Sequence, residues 1–357
     1  MKQKVIVALF LGMVFLLSAC INMPQQELEA VELEEQVPPV EKDGPIRIGF
    51  AMDTFLEERW LRDREMFKES VEALGAEVEI VAAYGNDALQ ISQAETLIQS
   101  GIDLLVIVPH NAEATAAIVH KAHLAGIKVI AYDRLVKNAD LDLYVSFDNE
   151  RVGELQGEAI TALVPKGNYV FIGGAITDNN AHLLKKGVFN VLRPYIERGD
   201  ITIVYDQWTE DWTPVNAKAN MEEALRTTNM QIDAVIAAND ATAGGVIQAL
   251  AAAGLAGQIP VTGQDADLAG VQRIVAGTQM MTVYKPLQTL SQEIAKLAVA
   301  MAKGETIFTE RKVNNGKIEV PSVLLTPIAV DKDNVESTVI ADGFHSLEDV
   351  YQVTSKE

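Results

Sequence analysis

The chain has 357 residues, of which 48% are hydrophobic, and a formal net charge of −21. This length and apolar content suffice for two lobes that each bury a core, and they exclude a disordered chain. The acidic balance excludes a nucleic-acid-binding surface, which needs clustered Lys and Arg, and it does not suit an anionic bilayer. It favours a well-hydrated protein with a neutral or cationic partner.

The first twenty residues have the pattern of a targeting signal. Two lysines lie within the first four residues, residues 5–17 are apolar, and Leu17-Ser18-Ala19-Cys20 ends the segment. The apolar run is too short for a comfortable membrane span, and its end resembles the lipobox of bacterial lipoproteins. We predict a lipoprotein signal peptide over residues 1–20, with lipidation of Cys20. An uncleaved anchor or a plain secretory signal is the alternative.

A segment rich in Glu, Gln and Pro follows, over residues 21–44. It has few large apolar residues and cannot bury enough surface to fold. We predict an acidic flexible linker that holds the globular part away from a membrane surface. An amphipathic helix over residues 27–36 that docks on a partner is the alternative.

From Ile46 onward, short apolar runs alternate with helix-like segments, a pattern typical of βαβ units in a parallel sheet. Gly75, Gly101 and Gly126 each follow a helix-like segment, as is common at helix ends. A second series of similar length begins after residues 144–147. We predict an α/β fold with two doubly wound, Rossmann-like lobes. A barrel of eight βα units is the alternative on strand count alone.

Motifs for covalent or metal chemistry are missing from the sequence. It contains no phosphate loop, dinucleotide fingerprint, nucleophile elbow or His-Glu-x-x-His motif. His120 and His123 lie on a helix-like stretch without a nearby acid in the sequence, and residues 331–334 begin like a calcium loop but lack its later Gly and Glu. Cys20 is the only cysteine, which excludes a disulfide framework. We therefore predict no cofactor, no metal site and no enzymatic activity.

Polar side chains follow several predicted strands at the points where the strands end. Asp133 and Arg134 come directly after the apolar run 128–132, and Asn239 and Asp265 follow two later strands. Such positions line the ligand crevice of an open α/β sheet. Carboxylates, amides, an Arg fork and flat aromatic faces suit a neutral polyhydroxyl ligand such as a sugar. The candidate binding residues are Arg59, Trp60, Asp133, Arg134, Asn180, Trp212, Asn239, Asp265 and Lys285.

Several motifs resemble those of a known family. The most specific are residues 239–245 (Asn-Asp-Ala-Thr-Ala-Gly-Gly) and residues 263–269 (Gly-Gln-Asp-Ala-Asp-Leu-Ala), together with residues 131–134 (Ala-Tyr-Asp-Arg). They are similar to motifs of the D-xylose-binding proteins of bacterial ABC transporters, in the ribose, galactose and xylose group of type I periplasmic binding proteins. The similarity extends from about residue 46 to residue 345.

This resemblance implies a division of the chain into two lobes joined by a three-strand hinge, with the sugar bound between them. The N-terminal lobe would comprise residues 45–148 plus 285–321, and the C-terminal lobe residues 149–284 plus 322–357. All nine candidates would bind the sugar. Trp60 and Trp212 would form apolar walls, and the other seven would bond its hydroxyls and ring oxygen.

The implied function is a receptor that binds D-xylose or a related monosaccharide and delivers it to the permease of an ABC importer. A membrane sensor kinase that reads the sugar-bound form is an alternative partner. A glycoside hydrolase with Asp133 and Asp265 as its acid pair is an alternative of another class. Familiar members are free in the periplasm, whereas Cys20 predicts an extracytoplasmic protein attached to the cell membrane only through a lipid, on the periplasmic side or at the cell surface.

Overall fold

The computed structural model describes residues 44–351. The predicted signal peptide, Cys20 and the predicted linker up to residue 43 lie outside the described residues, as does the end of the chain from residue 352. Within residues 44–351, no helix combines the length and the apolar character needed to cross a membrane.

The first half of the described chain alternates strands and helices, as the sequence predicts. Its elements are β1 (Arg47–Met52), α1 (Glu58–Ala73), β2 (Glu77–Ala82), α2 (Asp87–Gln99), β3 (Leu104–Ile107), α3 (Ala116–Leu124), β4 (Lys128–Tyr132) and β5 (Leu143–Phe147). Gly75, Gly101 and Gly126 follow α1, α2 and α3 with φ of 76°, 82° and 74°. A residue without a Cβ adopts this left-handed conformation at no steric cost, which confirms these glycines as helix ends.

A second series follows, and the chain then returns to the first. The second series comprises α4 (Asn149–Leu163), β6 (Gly167–Ile172), α5 (Asn179–Glu197), β7 (Ile201–Gln207), a 3₁₀ turn (Glu210–Trp212), α6 (Pro214–Thr227), β8 (Ala234–Ala237), α7 (Asp240–Ala252), α8 (Leu268–Ala276) and β9 (Thr282–Tyr284). The remaining elements are α9 (Leu287–Ala302), β10 (Arg311–Asn314), β11 (Glu319–Leu325), β12 (Ile328–Val330), a π-helix (Glu336–Ile340) and α10 (Leu347–Tyr351).

The strands form open sheets. The larger sheet has the order β10-β11-β5-β4-β3-β1-β2 and is parallel except for the β10–β11 pair. The second parallel sheet has the order β7-β6-β8, and β9 and β12 form an antiparallel pair. Two open parallel sheets confirm the doubly wound α/β prediction. The barrel alternative is wrong, because neither sheet closes on itself.

Each parallel sheet is buried on both faces. In β3, Leu104 and Val106 join one apolar cluster while Leu105 and Ile107 join another. The residues of β8 are likewise divided between two clusters of the second half. Because successive side chains point to opposite faces, a strand covered on both sides reads as a continuous apolar run. Burying each such Leu, Ile or Val side chain contributes roughly 1.5 to 3 kcal/mol, so these cores stabilise both sheets.

Strand β11 crosses the position of the predicted lobe boundary at residue 321, and it pairs with β5 from Ser322 to Leu325. Pro321 lies within β11 opposite Lys312 of the edge strand β10, so its missing N–H does not end the strand. The division of the chain into two lobes, with its boundaries and its three-strand hinge, stays a prediction.

Candidate functional site

A pocket with an empty volume of about 370 Å³ lies where strand ends of both halves meet helix N-termini. All nine residues selected from the sequence line it. Three further residues of the lining were not predicted. The full lining is Glu57, Arg59, Trp60, Asp133, Arg134, Asp178, Asn180, Trp212, Asn239, Gln264, Asp265 and Lys285.

Arg59 is held by carboxylates from three parts of the chain. Its Nε donates to Asp63 Oδ2 at 3.1 Å, its Nη2 to Asp133 Oδ2 at 2.5 Å and its Nη1 to Asp265 Oδ1 at 3.3 Å. The side chain lies in the first turn of α1 and is buried. Charge-assisted bonds on three sides fix the plane of the guanidinium, and this fixed fork lies in the wall of the pocket.

Arg134 is fixed in the same manner. Its Nη1 donates to Asp53 Oδ2 at 2.7 Å, and its Nε lies 2.8 Å from Asp178 Oδ2. The guanidinium carbons of Arg59 and Arg134 lie 4.4 and 5.0 Å from the ring centroid of Trp60. These cation–π contacts hold the indole against both guanidinium groups.

Asp133 has a strained backbone that its neighbours stabilise. Its φ is 60°, and its carbonyl oxygen accepts bonds from Tyr144 Oη at 2.9 Å and Ser146 Oγ at 2.6 Å. A left-handed conformation at a residue other than glycine costs of order 1 to 3 kcal/mol and occurs often at functional sites. The bonds to its carbonyl hold this conformation, which directs the carboxylate at the end of β4 toward Arg59.

The carboxyl of Asp133 is ionised at neutral pH. Burial raises its pKa, but the charges of Arg59 and Lys285 outweigh burial and hold the pKa below its usual value. Asn180 Nδ2 donates to its Oδ1 at 2.9 Å. A general acid needs a raised pKa, so Asp133 is unsuited to the acid role in glycoside hydrolysis.

The second half of the chain contributes the opposite wall. Lys285 is buried with its Nζ 3.4 Å from Asp265 Oδ1. Asn239 caps α7 through its Oδ1, which accepts from the backbone N–H of Thr242 at 2.9 Å, so its Nδ2 amide is the group it can offer to a ligand. The ring of Trp212 packs on Gly174, where a Cβ would collide with it.

Three buried polar atoms of the lining have no hydrogen-bond partner among the described residues: Glu57 Oε2, Trp212 Nε1 and Gln264 Oε1. Buried polar groups are almost always paired in folded proteins, and an unpaired one costs about 1 to 3 kcal/mol. One of the three is a donor and two are carboxyl or amide oxygens. A ligand that both donates and accepts hydrogen bonds can satisfy them.

The three residues that sequence reasoning missed stand beside residues that it found. Gln264 directly precedes Asp265 after the apolar run 259–263, which was predicted as a strand but forms only an isolated bridge at Val261, and Asp178 lies two residues before Asn180. Glu57 precedes Arg59 just before α1. Position next to a predicted strand end was therefore a usable signal for Gln264, whereas the pairing of Asp178 with Arg134 arises only in the folded chain.

Metal ligation has no support within residues 44–351, where no group of three or more His, Cys, Asp and Glu side chains could hold an ion. The sequence shows no acid next to the histidines of α3, but the folded chain places one beside His123. His123 Nε2 lies 2.8 Å from Asp142 Oδ2, because the loop before β5 returns to the end of α3.

The comparison with known proteins gives a consistent result over most of the chain. Residues 48–306 match the family model described as periplasmic binding protein domain. The chain is 51% identical over 300 residues to the D-xylose-binding periplasmic protein of Escherichia coli strain K12, covering 84% of this chain and 91% of that protein. It is also 51% identical over 306 residues to the protein of the same name from Haemophilus influenzae, covering 86% of this chain and 92% of that one.

Solved structures show the same fold. A carbohydrate transporter solute-binding protein from Chloroflexus aurantiacus, crystallised in complex with D-glucose, superposes with a TM-score of 0.80 at 33% sequence identity. The match covers 86% of this chain and 98% of that chain.

Proposed function

The chain belongs to the type I periplasmic binding proteins, in the group of the D-xylose-binding proteins, and from this premise we propose that it binds D-xylose in the pocket between its lobes and delivers the sugar to an ABC importer. Its relatives are binding proteins of sugar transport, so it is a binding protein and not an enzyme, and it acts outside the cytoplasm. The nine residues selected from the sequence are the proposed sugar ligands.

The observation that carries this proposal is the pair of unpartnered atoms Trp212 Nε1 and Gln264 Oε1 in the pocket wall. A sugar hydroxyl donates one hydrogen bond and accepts others, so a single polyol can pair with the indole N–H and with the amide oxygen. An apolar ligand would leave both atoms unpaired at a cost of about 1 to 3 kcal/mol each.

The charges of the pocket support a neutral ligand. Arg59, Arg134 and Lys285 each lie within ion-pair distance of a carboxylate, at 2.5, 2.7 and 3.4 Å for the closest pairs. An anionic or cationic ligand would have to displace one of these buried partners, and leaving a buried charge unpaired is strongly unfavourable. A neutral sugar adds hydrogen bonds without disturbing the pairs.

The test is isothermal titration of the soluble form, beginning after Cys20, with D-xylose, ribose, arabinose, glucose and galactose. We expect one xylose per chain. Trp212→Phe keeps the aromatic face but removes the N–H donor, so its affinity for xylose should fall about tenfold, equivalent to about 1.4 kcal/mol. The matched control is Trp208→Phe, because Trp208 is half-buried outside the pocket against His182.

Equal xylose affinity in Trp212→Phe and Trp208→Phe would contradict the assignment of Trp212. No heat with any of the five sugars would overturn the proposed function. In that case another small polar ligand would have to occupy the pocket.

We also propose that a lipid on Cys20 holds the protein at the outer face of the cell membrane. This rests on the lipobox pattern alone, since Cys20 lies outside the described residues. Cross-linking in intact cells distinguishes the two partners considered. Capture of an ABC permease supports delivery to an importer, whereas capture of a sensor kinase without a permease would replace transport by signalling.

A further inference from the structure

A second, larger cavity lies beside the sugar pocket. Its empty volume is about 1140 Å³, and it shares Glu57, Arg134 and Trp212 with the lining of the pocket. Much of its remaining lining is apolar and comes from both halves of the chain, including Leu56, Tyr84, Ala175, Pro214, Ala241 and Ala269. The three shared residues therefore form the partition between the two spaces.

The members of this partition differ in how firmly they are held. Arg134 is fixed by Asp53 and Asp178, and Trp212 packs on Gly174. Glu57 lies at the N-cap position of α1, but its side chain forms no capping hydrogen bond, and its buried Oε2 has no partner among residues 44–351. Trp212 Nε1 is also without a partner among these residues, but its ring packs on the backbone of Gly174, so Glu57 is the least firmly held of the three side chains.

We propose that Glu57 is a specificity-determining residue, whose carboxyl ends the sugar pocket on the side of the outer cavity and selects pentoses against hexoses. This inference rests on the proposed function, because it concerns the size of the sugar that the pocket accepts. A hexopyranose differs from a pentopyranose by one hydroxymethyl group, and that group needs space beyond the ring. The charged side chains in the rest of the pocket lining are held in place by ion pairs. Space for the hydroxymethyl group can therefore open at the partition.

The chemistry of the Glu57 carboxyl fits this position. Burial raises its pKa above the usual value, against the opposing charge of Arg134. The carboxyl oxygens can accept hydrogen bonds from sugar hydroxyls. Removal of the side chain would join the pocket to the outer cavity and remove this contact.

The experiment compares the affinities for D-xylose and D-glucose by isothermal titration in the wild type, Glu57→Ala and Glu57→Gln. One methylene in a fitted pocket discriminates by roughly 10-fold to 200-fold, so we expect the preference for xylose to fall at least about tenfold in Glu57→Ala. Glu57→Gln keeps the size of the side chain. This variant should bind both sugars more weakly by the same factor and leave the ratio of the two affinities unchanged.

Glu65→Ala is the matched control, because Glu65 is an exposed glutamate of the same helix whose ion pair within residues 44–351 is with its neighbour Arg64. Its two affinities should equal those of the wild type. Glu57→Asp replaces Glu57→Ala if thermal melting shows that the alanine variant is unfolded, and it should shift the ratio in the same direction.

The outcomes separate the two claims. A wild type that binds neither sugar overturns the proposed function. A wild type that binds xylose, with the same xylose-to-glucose ratio in the folded Glu57 variants, overturns the role of Glu57 and leaves the function standing. A ratio that shifts equally in Glu57→Gln and Glu57→Ala would also overturn it, because size would then play no part.

Discussion

Asp63 supports the pocket from behind without lining it. It is fully buried in α1, accepts a bond from Arg59 Nε at 3.1 Å and also accepts one from the hydroxyl of Tyr132. The Tyr132 hydroxyl lies 3.0 Å from Ser291 Oγ of α9. Burial raises the pKa of Asp63 to about 6, although the charge of Arg59 opposes this. Asp63 thus acts on a ligand only through the orientation of Arg59.

Asp63→Asn should weaken xylose binding by about tenfold, because the charge-assisted bond to Arg59 becomes a neutral one, a loss of about 1.4 kcal/mol. In the wild type, lowering the pH from about 8 to about 5 protonates Asp63 and should weaken binding in the same direction. The variant lacks this titration, so its affinity should change less over that range. Titration calorimetry at several pH values measures both effects.

Glu65→Gln, an exposed change in the same helix, is the control for the Asp63 variant. An Asp63→Asn protein with wild-type affinity and the wild-type pH dependence would show that Arg59 is positioned without Asp63.

Whether a site residue could be predicted from the sequence depended on its position relative to the predicted strands. Asp133, Arg134 and Asp265 lie within two residues of the ends of apolar runs, and the structure brings them into one pocket lining. Asp63 could not be selected in this way. An acid four residues after an arginine reads as a surface ion pair on a helix, and only the packing of α9 against α1 buries it.

Helices α4 and α5 are in direct backbone contact. A Cβ on Gly153 of α4 would collide with the carbonyl of Leu184, and a Cβ on Gly187 of α5 would collide with the carbonyl of Glu150. The two glycines therefore set the distance between the helices. Because Asn180 lies at the start of α5, this distance also positions a residue of the pocket.

Gly187→Ala should lower the free energy of unfolding by about 1 to 3 kcal/mol, the usual cost of overpacking, measured by urea denaturation. Gly244→Ala is the matched control. Its Cβ would first meet Arg273 Nη1, the end of a flexible side chain, at 3.3 Å. Helix propensity should make that variant as stable as the wild type or more so. Equal destabilisation of the two variants would contradict the close helix contact.

The order of the strands and helices was largely predictable, because it depends on local sequence patterns. The alternation of apolar runs with helical segments gave the βα order, and glycines gave helix ends. The pairing of β11 with β5 was not visible, because Leu325 and Phe147 are distant in sequence and no local pattern links them. The π-helix over Glu336–Ile340 is local, but its five residues form about one turn, which is too short to give a periodic signal.

His110 links the two sides of the outer cavity. Its Nδ1 lies 3.1 Å from Asp53 Oδ1, and its Nε2 lies 4.0 Å from both Asp87 and Asp211. Asp211 comes from the second half of the chain, directly before Trp212. The hydrogen bond to Asp53 raises the pKa of His110, with burial and the charge of Arg134 opposing. The protonated imidazole is therefore stabilised chiefly by the carboxylates of Asp53 and Asp87.

A raised pKa in the folded state means that protonated His110 stabilises the fold fully at pH values below its unfolded pKa of about 6.5, and that this stabilisation is lost as the pH rises through the folded pKa. His110→Gln should therefore lower the melting temperature more at about pH 5.5 than at about pH 8.5, as measured by calorimetry. His120→Gln, an exposed position of α3, is the control. The same loss at both pH values would contradict the role of the imidazolium.

We propose that a sugar occupies the buried pocket between the two halves of this chain. A crystal structure of the protein grown with D-xylose tests it most directly. We predict one pyranose ring within hydrogen-bond distance of Arg59, Asp133 and Asp265, with Trp212 Nε1 and Gln264 Oε1 paired to its hydroxyls. A sugar bound elsewhere, or a pocket that holds only water at saturating xylose, would contradict the claim.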